Sequence, residues 1–174
     1  SHSHDYLTKF AFQRFVEDIE ESIRIFKNKL GYNPIYFSYP FGEYNLEQKN
    51  YISNNFEFAF GQHSGVIDLN KDRYELPRFP INEKYGEIKR FKEVISYLPL
   101  QYKIIKPENK FMNDGENPPK MTIEFFKDQK NLENINCFSN EGSKWRKTKI
   151  VLVDNILNIN FAEKFIERRG RINC

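Results

Sequence analysis

The sequence predicts an α/β unit followed by a small antiparallel β unit, and three observations predict it. Apolar residues recur at helical spacing over 13–30, a strand, turn, helix, strand order runs over 35–60, and a period of two sets in beyond residue 120. The boundaries that follow are an α/β portion over 1–98, a linker over 99–119 and a sandwich-like β portion over 120–174.

The first helix is expected over Gln13–Leu30. Phe15, Ile19, Ile23, Phe26 and Leu30 form one stripe, Glu17, Glu20, Glu21 and Lys27 point away from it, and Gly31 stands where a left-handed stop is needed. After Asn33-Pro34, the run Ile35-Tyr36-Phe37-Ser38 reads as a short strand that ends at the Pro40 turn. Asn45 is placed to cap a helix reaching about Ile52. Phe56–Phe60 reads as a second buried strand, ending at Gly61-Gln62-His63-Ser64-Gly65. Asn82-Glu83-Lys84-Tyr85-Gly86 suits either a groove wall or a helix cap and first turn. Gly86–Leu98 follows as a second amphipathic helix with Ile88, Phe91, Val94, Ile95 and Leu98 on one side.

Pro107, Asp114-Gly115 and Pro118-Pro119 mark a polar, turn-rich link. Beyond it the runs 121–125, 132–138, 149–153 and 156–161 alternate apolar and polar residues, which suits a small antiparallel sheet or sandwich. Arg171-Ile172-Asn173-Cys174 reads as a further strand with no closing turn, as if cut short. Cys137 and Cys174 both fall in this unit. In an exported protein they would form a disulfide and in a cytosolic one two buried thiols, and the sequence leaves both readings open.

Composition narrows the function classes. With 39% apolar and 16% aromatic residues in 174, the chain can bury one moderate core or two small ones. The 27 Lys and Arg nearly balance the 24 Asp and Glu and are interspersed with them, so no basic stripe points to nucleic acid. The one basic cluster, Glu167-Arg168-Arg169-Gly170-Arg171, reads as a solvated strand end. No stretch is long and apolar enough for a membrane span.

The chemistry-bearing segments are Phe37-Ser38-Tyr39-Pro40-Phe41-Gly42-Glu43-Tyr44, Leu76-Pro77-Arg78-Phe79-Pro80, and the opening Ser1-His2-Ser3-His4-Asp5-Tyr6-Leu7. An aromatic Pro turn at a strand end puts rigid backbone at the mouth of an α/β fold, and clustered histidines offer neutral imidazole nitrogen to a divalent metal. A short histidine-rich opening also has the look of an added tag.

Together, in this order, the segments resemble the polysaccharide deacetylase (NodB-homology, carbohydrate esterase family 4) family over about residues 1–95. The resemblance implies an irregular, TIM-barrel-like (β/α) barrel and a metal-dependent hydrolase, with zinc the expected divalent ion. Its substrate would be N-acetylhexosamine units of a polysaccharide or glycolipid, and its setting a bacterial cell envelope, periplasm or extracellular space. The T-F-D-D segment that supplies the family's base and a metal ligand is absent from these residues. The chain is therefore expected to be the C-terminal portion of a longer enzyme, inactive in isolation.

Carried over residue by residue, His4 matches the second metal-binding histidine, with Ser1 at the Ser/Thr position and Leu7 at the family's following leucine. In the alternative register His2 would pair with Tyr6, which is no such ligand. Tyr39-Pro40-Phe41 matches the turn whose backbone N–H holds the oxyanion, so Phe41 becomes the donor and Tyr39, Pro40 and Tyr44 a substrate-binding wall. Arg78 matches the arginine that orients the base carboxylate. No late L-x-H histidine is present, and His63, in a loop after a strand, is the remaining candidate for the general acid. The alternatives are a non-catalytic carbohydrate-binding module on the same fold, and a structural fragment whose resemblance is historical. An upstream T-F-D-D motif would decide for the enzyme.

Overall fold

The computed structural model describes residues 1–6 and 11–174, in two compact units, Ser1–Leu100 and Gln101–Cys174. The first unit is mixed α/β. Helix α1, Phe12–Leu30, follows from the 3.6-residue stripe: Phe15 and Ile19 are wholly buried, Ile23 packs beside them, and the stripe comes to the surface at Leu30. It stops at Gly31, whose φ of 84° is the left-handed conformation that a residue without Cβ takes at least cost, and whose N–H donates to Lys27 O at 2.8 Å.

Strands β1, Tyr36–Ser38, and β2, Phe58–Phe60, pair in parallel with Phe37 opposite Ala59. Helix α2, Leu46–Asn55, crosses between them. Its start is fixed by a reciprocal cap in which Asn45 Oδ1 accepts from Gln48 N–H at 2.8 Å and Gln48 Oε1 accepts from Asn45 N–H at 3.1 Å. A single parallel bridge, Phe60 to Leu76, lays a third extended segment beside β2. The core between these elements is Phe15, Ile19, Phe37, Tyr39, Tyr44, Ile52, Phe56 and Ala59.

The second expected helix is shorter than its apolar pattern. Helix α3 covers only Ile88–Val94, and Asn82 instead turns the chain before it, its Oδ1 accepting from Lys84 and Tyr85 N–H at 3.1 Å each. None of the residues of α3 is buried, and Ile88, Phe91, Ile95 and Leu98 stand 68, 45, 64 and 88% exposed. A seven-residue helix makes barely two turns, too few to carry all five apolar positions on one buried face.

The second unit is one curled, antiparallel six-stranded sheet. Its strands are β3 (Ile104–Lys106), β4 (Met121–Glu124), β5 (Cys137–Ser139), β6 (Arg146–Val153), β7 (Ile156–Asn160) and β8 (Ile172–Asn173), in the order β3-β4-β7-β6-β5-β8. Strand β3 comes from the stretch expected as linker, where its three residues pair with Thr122, Ile123 and Glu124. The sandwich-like expectation gives way to a single sheet because Ile123, Cys137, Leu157 and Ile159 make one buried face, and Phe125 and Leu132 from the connections cover it. Buried polar groups are paired: Thr148 Oγ1 donates to Ser139 Oγ at 2.8 Å, and Glu141 accepts from Glu163 N–H. Cys137 and Cys174 form a disulfide that ties β5 to the residue following β8.

Candidate functional site

Parallel pairing decides where the motifs meet. The turn after β1, the loop after β2 and the segment after the Leu76 bridge all leave the carboxyl ends of three adjacent parallel segments, the end at which α/β folds collect their sites. This brings Phe41, His63 and Arg78 together from three separate stretches of chain.

The turn is tightly built. Tyr39 N–H donates to Phe60 O at 3.0 Å, Gly42 N–H to Tyr39 O at 2.8 Å and Glu43 N–H to Pro40 O at 3.2 Å. Phe41 sits at φ 57° and ψ 4°, left-handed for a residue with a Cβ, a conformation that costs energy and is held by its surroundings. Gly42 follows at φ 70°, and a Cβ placed there would lie 2.5 Å from Gln62 N, so the Pro40 turn rests directly on the loop after β2. That loop is held in turn by Arg78. Its N–H donates to His63 O at 3.0 Å and its Nε to Gly61 O at 2.9 Å, which fixes the guanidinium beside the loop while the side chain stays exposed. A Cβ on Gly61 would come 2.7 Å from His63 Nδ1, so the exposed imidazole lies back along this glycine.

Tyr39, Pro40 and Tyr44, expected as a substrate-binding wall, lie inside. Tyr39 is 1% and Tyr44 9% exposed, Pro40 is buried, and the two phenol rings stack at 4.3 Å with 29° between their planes. Ring faces covered in this way cannot stack on a sugar; they brace the turn from below. Tyr39 Oη donates to Tyr74 O at 3.1 Å and Tyr44 Oη to a Glu75 oxygen at 3.0 Å. Burial first, then the Glu75 charge, pushes the Tyr44 phenol well above its ordinary range, and burial followed by Asp72 and Glu75 does the same to Tyr39.

The opening segment also reaches the turn. His4 is exposed, at φ 52°, with its ring 5.4 Å from Phe41, and Tyr6 lies 4.4 Å from the same ring. The segment is clamped to α1 by Asp18, whose two oxygens accept from Ser3 N–H at 2.7 Å and His2 N–H at 3.1 Å. Partial burial raises the Asp18 pKa, but these hydrogen bonds outweigh it and hold the carboxylate below its ordinary value. Leu7 lies outside the described residues.

Two features were not legible in the sequence. Asp18 looks like one more acid on an outward helical face, and Lys49 like an ordinary helical lysine. Yet Lys49 has 11% of its side chain exposed, and its Nζ reaches Asp72 at 2.7 Å and Glu75 at 3.4 Å. Two concave regions lie away from the turn. One is a groove along α1 and β1, lined by Ser1, His2, Phe26, Tyr36 and Phe37, and the other is a smaller hollow at Asp68, Lys71 and Arg73.

Against known families, residues 1–58 match polysaccharide deacetylase. That segment, one third of the chain, is what is similar to polysaccharide deacetylases. No curated protein and no solved structure matches the chain. The matched span includes His4, Tyr39, Pro40, Phe41 and Tyr44 and ends before His63 and Arg78, so the similarity rests on the opening segment, α1 and the Pro40 turn. Polysaccharide deacetylases are hydrolases of amide bonds and are generally metal-dependent. Among the described residues no group of three or more His, Cys, Asp or Glu is arranged to hold a metal ion. One exposed imidazole, His4, does not by itself fit a resident ion.

Proposed function

We propose that this chain contributes one wall of an N-deacetylase acting on N-acetylhexosamine units of a polysaccharide or glycolipid. The observation that carries the reading is the family match over residues 1–58, together with the gathering of the Phe41, His63 and Arg78 segments at one end of the parallel strands. In this reading water adds to the acetamide carbonyl carbon, and the carbonyl electron pair moves onto oxygen. The Phe41 backbone N–H donates to the oxyanion. Collapse re-forms the carbonyl and breaks the C–N bond, and the leaving amine takes a proton from the His63 imidazolium, releasing acetate. Arg78 orients the carboxylate that removes the proton from water; by the family pattern that acid stands in a T-F-D-D segment, which these residues do not contain.

His4 is the side chain this chain would offer to a divalent ion such as Zn²⁺. The parallel arrangement of β1, β2 and Leu76 would form one arc of an irregular (β/α) barrel. The Cys137–Cys174 disulfide supports an oxidising setting such as the cell envelope or the exterior. The alternative of a sugar-stacking module is weakened by the burial of Tyr39 and Tyr44, which leaves only Phe41 of its three aromatic contacts near the surface.

The test is acetate release from N-acetylglucosamine and N-acetylgalactosamine oligomers by the full-length protein, with and without chelator. Arg78→Ala is expected to lower the rate by about a hundredfold, in the range seen when a positioned charge is removed, with the denaturation midpoint little changed. An unchanged rate would take Arg78 out of the site.

A further inference from the structure

The carboxylate of Glu75 stands between the two site-bearing segments. It accepts from Tyr44 Oη at 3.0 Å, two residues beyond the Pro40-Phe41-Gly42 turn, and it lies three residues before Arg78 on the segment that runs through the Leu76 bridge. The same oxygen lies 3.4 Å from Lys49 Nζ, and that ammonium reaches Asp72 at 2.7 Å on the same segment. Burial disfavours the Lys49 charge, but the hydrogen bond to Asp72 and the charges of Glu75 and Asp72 outweigh it and keep the group above its ordinary value. Tyr39, stacked on Tyr44, adds a second tie through its bond to Tyr74 O.

We infer that Glu75, held by Lys49, is a positioning residue that sets the Phe41 turn and the Arg78 segment in register with each other. The inference rests on the deacetylase reading for its effect on rate. The physical reason is that the turn and the Arg78 segment also meet through the loop after β2, where Gly42 rests on Gln62 and Arg78 holds Gly61 and His63. A loop transmits position less firmly than a half-buried carboxylate held by Tyr44 and Lys49. A turn displaced by about 1 Å is enough to cost on the order of a hundredfold in rate.

The experiment compares Glu75→Gln, Tyr44→Phe and Lys49→Arg in the full-length protein. Hydrogen exchange is read at the Gly42 and Arg78 amides, with the Ile19 amide as control, and kcat and KM are read from acetate release. Glu75→Gln and Tyr44→Phe are expected to speed exchange at both Gly42 and Arg78 by about tenfold while leaving Ile19 unchanged. They should lower kcat by about tenfold or more with KM within about twofold, and Lys49→Arg should retain most of the wild-type behaviour on both counts. Exchange at Gly42 and Arg78 equal to wild type would overturn the inference. So would faster exchange with an unchanged kcat, because the network would then be a structural tie alone. A wild-type protein that releases no acetate would sink the deacetylase reading instead, and exchange would still decide the coupling.

Discussion

Gly42→Ala tests the contact on which the Pro40 turn depends. Two costs are expected. The first is conformational, because φ at Gly42 is 70° and a side chain there costs about 1–2 kcal/mol. The second is steric, because the new Cβ would lie 2.5 Å from Gln62 N and 2.7 Å from Gln62 Cβ. Both are parts of the chain that cannot swing away, so the turn or the loop must move, at about 1–3 kcal/mol. Gly31→Ala isolates the first cost: Gly31 has a φ of 84°, and a Cβ there would meet nothing within 4 Å. Gly42→Ala should therefore lose about 2–5 kcal/mol and Gly31→Ala about 1–2, and only the former should move the Phe41 N–H and lower acetate release. The assay is urea unfolding followed by tyrosine near-ultraviolet circular dichroism, since nine of the ten tyrosines lie in residues 1–100. Trp145, the single tryptophan, reports on the other unit and should unfold at an unchanged midpoint. Equal losses for the two glycine variants would refute the close-approach reasoning.

Other outcomes follow from the packing. Reducing the Cys137–Cys174 bond, which spans 37 residues, should cost the second unit about 4 kcal/mol on the loop-entropy account, read as a lower Trp145 fluorescence midpoint in guanidine with dithiothreitol, while the tyrosine signal holds. Phe15→Ala empties the centre of the first core and should lose about 3–5 kcal/mol by the tyrosine signal, leaving Trp145 unaffected. Asp18 has its folded pKa below the ordinary 3.8, so its clamp contributes fully above that value and is lost as pH falls through the lower, folded value. Protection of the Ser3 amide, measured against its intrinsic exchange rate at each pH, should fall across that acid window, and Asp18→Asn should remove that change; protection that stays constant there would remove the clamp.

Local rules settled much of this chain before any tertiary contact was considered. The stripe from Phe15 to Ile23, Gly31 as the stop, Asn45 as a cap, the strand before Pro40 and three of the four alternating runs beyond residue 120 were legible, because each depends on neighbours within a turn or two; the fourth, 132–138, instead opens with a 3-10 turn over Leu132–Asn134 and pairs only from Cys137. The resemblance to polysaccharide deacetylases was legible in the Pro40 segment for a different reason, since backbone geometry at a strand end restricts which residues can stand there; the family match stops short of the Arg78 segment.

What the sequence left open depended on partners distant along the chain. Whether Tyr39 and Tyr44 face a ligand or the core depends on α1 and on residues 74 and 75, more than 30 positions away. Strand β3 gains its pairing from β4 after a long turn-rich stretch, so three residues with no pattern of their own become an edge strand. The apolar positions of 88–98 announced a buried face, and the fold gives α3 none, because periodicity states what a helix could cover and only a neighbour decides whether it does. The sequence by itself determined the elements and the motif-bearing turns. The tertiary structure alone decided that the Phe41, His63 and Arg78 segments leave one end of the parallel strands, that a buried lysine pairs with Asp72 and Glu75, and that Cys137 meets Cys174. Burial and pairing are properties of surfaces that come together only when the chain has closed.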